Sequence, residues 1–437
     1  MNEKERFSEV EKKLQEMASP GIRPGLARLA RLLSEAGMPQ DKFPSVHVAG
    51  TNGKGSTAAS LYAILRKSTY KTALYTSPHL VDFSERLVID DKRVSAERWL
   101  AAVGLLERII KKTSFFTDNL PTYFELITAA AILILAEESP DIAVFEAGMG
   151  GRLDASNILG DVRLSLIVPI GLDHTEYLGD TLEKVGAEKF AIMRRDTPAL
   201  FAGDPRLDAQ FIIAAKLHGA APHIFSSAYS VADADYSLSG TDFTLRDKEG
   251  GGEERYHTPL VGTFQSENAA LAAAAARLLS PAFPKITAKT IKEGLARTLW
   301  PGRMEVIAQA PPVIVDGGHN PHAMRRIAET LKTLMGGSHV NIVIAMMHDK
   351  EIAGALSFLR GLDVTLYCTE VPGNERSLGA REMERAASEA ALRSGGSFHE
   401  PLAAIAEASK EGAPVLCCGS LFLVGYIKER KDELRRI

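Results

Sequence analysis

The chain is poor in cysteine, in tryptophan and in net charge, and these shortages exclude several functions. Its 437 residues include three cysteines, Cys368, Cys417 and Cys418, with no CxxC or Cys/His spacing. A disulfide framework and a cysteine-built zinc site are therefore excluded, and buried thiols in a reducing compartment are expected. Formal net charge is −4, and the 51 Lys+Arg residues are spread along the chain rather than blocked together. No nucleic-acid or anionic-membrane surface follows from that distribution. No apolar run reaches the roughly 20 residues of a membrane span. The first stretch, MNEKERFSEVEKKLQEM, is charged and lacks the apolar core of a signal peptide. A cytoplasmic protein with no membrane partner is expected.

What the chain does have is alternation. Short β-branched runs (Ser45–Ala49, Thr72–Thr76, Asp141–Phe145, Leu164–Ile170, Thr197–Phe201) alternate with helical patterns at Lys54–Lys67, Ala96–Lys112, Thr122–Glu138 and Thr181–Met193. This predicts an α/β fold with a mostly parallel sheet between helices. The polar, Gly-containing stretch His223–Tyr256 predicts a small antiparallel patch, followed by an Ala-rich helix at Ser266–Leu279. Helix breakers cluster at Trp300-Pro301-Gly302. The length exceeds the roughly 250–300 residues at which one core stops growing, so two domains are expected, 1–299 and 300–437. The second repeats the alternation, with strands at Val313–Val315, Val340–Ala345, Val364–Cys368 and Val415–Cys418. Its helices are expected at Pro321–Leu334, Glu351–Leu359, Gly379–Ser394 and Leu402–Ser409, making a smaller Rossmann-like sheet.

Between a strand and a helix lies Gly50-Thr51-Asn52-Gly53-Lys54-Gly55-Ser56-Thr57. Glycines let backbone amides approach phosphate oxygens, and the helix N-terminus adds N–H groups and a favourable dipole. Lys54 is placed to reach the β/γ-phosphates, and Ser56 or Thr57 to contact Mg²⁺. The spacing G-x-x-G-K-G-S-T is shorter than that of the common P-loop.

Two further strands end in polar residues. Glu146 follows Asp141–Phe145 and opens Glu146-Ala147-Gly148-Met149-Gly150-Gly151-Arg152-Leu153-Asp154. A carboxylate at the carboxyl end of such a strand sits where α/β sheets bind ligands and suits a hard cation. Leu164–Ile170 ends in Gly171-Leu172-Asp173-His174, where His174 reads as a base or orienting group. Lys189, on a helix after Glu188, reads on its own as a solvated surface lysine.

Taken together, HVAGTNGKGST (47–57), SPHLVDFSERL (77–87), TYFE (122–125), EAGMGGRLDASN (146–157), GLDHTEYLGDT (171–181), EK (188–189), FQSENA (264–269), PGRME (301–305), DGGHNP (316–321) and MHDKE (347–351) closely match one family. The chain resembles folylpolyglutamate synthase/dihydrofolate synthase, of the Mur-ligase-like superfamily. That resemblance implies an ATP-dependent amide ligase. ATP phosphorylates a carboxylate, L-glutamate attacks the acyl phosphate, and ADP and phosphate leave.

It also implies roles. Gly50 through Thr57 hold ATP, and Lys54, Glu146, His174 and Lys189 are catalytic. Thr57, Ser77, Glu146, His174 and Lys189 hold Mg²⁺, as two ions, with Lys189 carbamylated. Asn268, Arg303, Asp316 and His319 reach ATP from the inter-domain side, so closure of the domains is expected to complete the site. Thr122, Phe124 and Asp154 contact the pteroyl substrate, near an entry loop at Arg23–Gly25. The expected partners are small molecules (ATP, L-glutamate, and a folate or dihydropteroate), and the enzyme is expected to be a monomer. Two local differences stand out: Phe190-Ala191-Ile192 follows Lys189 where the family often has Ala-Gly-Ile, and DGGHNP replaces DGAHNP. A cell-wall ligase acting on a UDP-sugar peptide and a P-loop switch ATPase are the alternatives. TYFE argues against the first, and the whole second domain against the second.

Overall fold

The computed structural model describes residues 3–434; Met1 and Asn2 of the charged leading stretch, and residues 435–437, lie outside it. The chain divides into two units. One is Met1–Ser230 with Leu245–Glu253 and Asn268–Arg297; the other is Val231–Thr244 with Glu254–Glu267 and Thr298–Ile437.

The first unit begins with α1 (Glu3–Met17) and α2 (Ala27–Glu35), then β1 (Ser45–Ala49), α3 (Lys54–Lys67), β2 (Thr72–Tyr75), β3 (Leu87–Ile89) and β4 (Lys92–Arg93). It continues through α4 (Ala96–Lys112), α5 (Tyr123–Glu138), β5 (Ile142–Glu146), β6 (Val162–Ile167), α6 (Thr175–Leu178), α7 (Leu182–Phe190), β7 (Pro198–Phe201) and β8 (Ala221–Ile224). The eight strands form one sheet in the order β4-β3-β2-β5-β1-β6-β7-β8. Only the pairs β2–β3 and β3–β4 are antiparallel. Every residue of β1 and β5 is buried, as expected of central parallel strands covered on both faces. Helix α5 is buried continuously from Glu125 to Leu135 and forms much of the core beside this sheet, which explains its unbroken apolar sequence.

A separate three-stranded sheet, β11-β10-β9, contains β9 (Tyr229–Ser237), β10 (Gly240–Asp247) and β11 (Glu253–Thr258), where the small antiparallel patch was expected. The second unit has a six-stranded sheet in the order β12-β13-β17-β14-β15-β16. Its strands are β12 (Glu305–Gln309), β13 (Pro312–Val315), β14 (Val340–Ile344), β15 (Val364–Thr369), β16 (Arg393–Phe398) and β17 (Val415–Cys418). All except β12 pair in parallel. The α/β fold with mostly parallel sheets is as expected.

Local departures have local causes. The strand expected over Leu164–Ile170 runs Val162–Ile167; Pro169 has no N–H for a ladder, so the chain leaves the sheet there. The helix expected over Gly379–Ser394 stops at Glu389, because Ala391 turns with φ 58° and Arg393 already belongs to β16. No described helix is long and apolar enough to cross a membrane.

Candidate functional site

The strand order brings four carboxyl ends together. Ser77 follows β2, Glu146 ends β5, the glycine loop follows β1, and Pro169–His174 follow β6. Ligands of α/β sheets bind at such an edge. The loop is braced rather than loose. Thr51 N–H donates to Pro169 O (3.0 Å), and the Thr51 hydroxyl both donates to Gly171 O (2.9 Å) and accepts from Gly171 N–H (3.0 Å). Gly53 caps α3 with φ 96°, and a Cβ there would stand 2.5 Å from Asn268 Oδ1. Glycine is thus required both by the left-handed turn and by the close approach of Asn268.

Lys54 and Lys189 meet at one carbonyl. Lys54 Nζ donates to Gly50 O (3.1 Å) and Thr51 O (3.0 Å), while Lys189 Nζ donates to Gly50 O at 2.7 Å. The expectation of a surface lysine at 189 is wrong, since its side chain is buried. Burial first, and then the Lys54 charge, lower its pKa to about 7. The neighbouring Phe190 does not disturb it. That ring is buried in a cluster with Phe201 (5.2 Å) and Phe211 (5.4 Å), in the core beyond the sheet edge.

Two hydroxyls close to this edge are buried without a hydrogen-bond partner, Thr57 Oγ1 and Ser77 Oγ. Ser77 N–H points at Glu146 Oε2 (3.4 Å), and Glu146 is itself buried. Orphaned buried oxygens are uncommon and call for an explanation. Oxygen donors beside a carboxylate are what Mg²⁺ prefers, so these residues fit that ion. His174 is exposed, in the left-handed region (φ 49°), with its N–H on Asp173 Oδ1. Among the described residues, no three His, Cys, Asp or Glu side chains are gathered as a metal cluster.

The residues expected at a pteroyl group are also brought together. Thr122 caps α5 in a reciprocal box with Glu125: Glu125 N–H donates to Thr122 Oγ1 (3.2 Å), and Thr122 N–H to Glu125 Oε2 (2.6 Å). The Phe124 ring lies against Gly148, where a Cβ would stand 2.5 Å from Cζ. Asp154 is buried and accepts from Met149 N–H (2.7 Å), Ser156 N–H (2.9 Å) and Ser156 Oγ (2.5 Å). Burial raises its pKa against those bonds.

Two partners were missed by sequence reasoning. His47 Nε2 lies 2.7 Å from Ser156 Oγ, and since that hydroxyl donates to Asp154, the imidazole is the donor. Burial holds His47 neutral, its pKa near 3. Arg28 Nε donates to Glu125 Oε2 (3.1 Å) and Arg28 Nη2 to Arg23 O, tying the Arg23–Gly25 loop to the TYFE segment. A histidine inside an apolar strand, and the Thr-x-x-Glu box, were the available signals.

In the second unit Asp316 follows β13, buried, accepting from Met304 N–H (2.9 Å) and Gly318 N–H (2.7 Å). Burial raises its pKa and Arg303 opposes this. His319 shares a proton on Nδ1 with Gly317 O at 2.9 Å. Asn320 then caps helix Pro321–Met335. Arg303, Asp316 and His319 therefore stand together at the carboxyl end of β13.

The chain matches two family models, the Mur ligase middle domain over residues 48–276 and the Mur ligase, glutamate ligase domain over residues 302–421. It is 32% identical to the dihydrofolate synthase/folylpolyglutamate synthase of Bacillus subtilis over 415 residues, 94% of this chain and 95% of that protein. It is 33% identical to the Escherichia coli protein of the same name over 428 residues, covering 97% and 94%. Among solved structures, E. coli FolC in complex with DHPP and ADP superposes with a TM-score of 0.85 at 31% identity, covering 99% of this chain and 98% of that one. The match extends through all three sheets and nearly the whole length, and the chain belongs to the folylpolyglutamate synthase/dihydrofolate synthase family of Mur-type ligases.

Proposed function

We propose that this edge of the first sheet is where ATP activates a pteroyl carboxylate for amide formation. The enzyme is an ATP-dependent ligase that adds L-glutamate to a folate or to dihydropteroate. In our reading Gly50–Thr57 hold the nucleotide phosphates, and Lys54 leaves its carbonyl partners to neutralise charge on the transferring phosphoryl group. Thr57, Ser77, Glu146 and His174 would hold Mg²⁺, as two ions together with a carbamylated Lys189; bound there, the metal supplies charge neutralisation. Asn268, Arg303, Asp316 and His319 are assigned to ATP, and Thr122, Phe124 and Asp154 to the pteroyl group. We assign the phosphate chemistry to 1–299 and a Rossmann-like ligase domain to 300–437. A cytoplasmic location suits the three free, buried cysteines.

The observation that carries this reading is the pair of orphaned hydroxyls at this sheet edge, Thr57 Oγ1 and Ser77 Oγ, the second next to Glu146. ADP release should require the pteroyl acceptor and L-glutamate together. Steady ADP release at the full rate without glutamate would instead indicate an ATPase. Gly148→Ala tests the acceptor pocket. Its methyl would meet the Phe124 ring at 2.5 Å. The displaced ring should raise KM for the acceptor about tenfold and leave KM for ATP within about twofold. Equal rises in both would remove Phe124 from the acceptor site.

A further inference from the structure

Arg86 closes the short turn Phe83–Arg86, and its carbonyl accepts from Thr76 N–H (3.1 Å), the residue before Ser77. The residue is buried, 7% exposed. The guanidinium lies 5.7 Å over the Phe83 ring, and Nε donates to His79 Nδ1 at 3.0 Å. Among the described residues it forms no ion pair, and its two Nη nitrogens donate to nothing. His79 accepts on Nδ1, so that nitrogen carries no proton and the imidazole is neutral. The acid whose pKa Arg86 lowers here, Glu11, does not pair with it, and burial pushes that carboxyl above its ordinary range. A buried cation surrounded by a ring face and a neutral imidazole lacks the counter-charge that buried charges require.

We propose that Arg86 receives the α-carboxylate of a folate's glutamate and so favours folylglutamate acceptors over dihydropteroate. The inference rests on the ligase reading above. With Nε engaged by His79, the two Nη nitrogens form an end-on fork that a carboxylate satisfies bidentately and in charge. A pterin oxo group would take one donor and bring no charge. Dihydropteroate has a single carboxylate, the one that reacts. A folate has another, a short aliphatic stem from the reacting one. Arg86 lies on the loop that bears Ser77, which is assigned to the reacting end.

The test is steady-state kinetics of Arg86→Met and Arg86→Lys with tetrahydrofolate and with dihydropteroate, varying L-glutamate separately. KM for tetrahydrofolate should rise about ten- to a hundredfold in Arg86→Met and be partly restored in Arg86→Lys. KM for dihydropteroate and for L-glutamate should stay within about twofold. Equal rises for both acceptors would place Arg86 on their shared pteroyl part, and a rise for L-glutamate would place it on the incoming amino acid; either result overturns the proposal, as does no change. If Arg86→Met does not fold, the tetrahydrofolate-to-dihydropteroate KM ratio of Arg86→Lys decides, an unchanged ratio overturning the proposal. A wild-type enzyme that ligates glutamate to neither acceptor would refute the ligase reading itself, a result separate from any of these.

Discussion

Lys54→Ala should lower kcat by about a thousandfold, the scale seen when a preorganised donor to developing charge is removed. The fold should survive. Lys54 is only partly buried, and the bonds it loses are two to loop carbonyls at 3.1 Å and 3.0 Å. Each is worth about 1 kcal/mol net. Part of that loss is offset, because the change also removes the nearby cation that disfavours charge on Lys189. Turnover measured beside thermal melting checks this. A folded Lys54→Ala variant with near-normal kcat would take Lys54 out of the chemistry.

Lys189→Ala should cause a loss at least as large, with some activity restored by a small carboxylate such as acetate. A lysine amine reacts with CO₂ only when neutral; the C–N bond forms and a proton leaves to water. With its pKa lowered to about 7, Lys189 is increasingly neutral as pH rises through that value. An ordinary lysine, near 10.4, would be almost wholly charged there. Activity should therefore fall in CO₂-depleted buffer, more so below pH 7, and recover with bicarbonate. The amine form also has a signature in stability. Between about pH 7 and 10 the unfolded chain binds more protons at this residue than the folded one does, so stability should rise with pH in that window. The slope is at most about 1.4 kcal/mol per pH unit. Denaturant unfolding of Lys189→Met should lack this slope. Full activity in CO₂-free buffer at every pH, with no response to bicarbonate, would rule out the carbamate.

Helix α3 and the glycine loop were legible in the sequence because their signals are local. The apolar strand, three glycines, lysine and hydroxyls follow one another in the order the turn requires. Glu146 was legible for the same reason, as the polar end of an apolar strand. The sheet edges were not. β4 has two residues, both exposed, and offers no pattern. β16 reads RSGGSF, and its glycines answer to packing rather than strand propensity, since a Cβ on Gly395 would stand 2.7 Å from the Tyr367 ring. Contacts distant in sequence were also hidden. His47 and Ser156 are 109 residues apart, and Arg28 and Glu125 97 apart. Lys189 gave the clearest lesson, because one lysine after Glu188 looks the same in sequence whether it faces solvent or the Gly50 carbonyl.

Product identification by mass tests the ligase activity most directly. Purified protein with ATP, Mg²⁺ and L-glutamate is offered tetrahydrofolate in one reaction and dihydropteroate in another. An acceptor heavier by one or more glutamyl residues is expected in at least one of them, with one ADP formed per amide bond. ATP consumed with both acceptors unchanged in mass would contradict it.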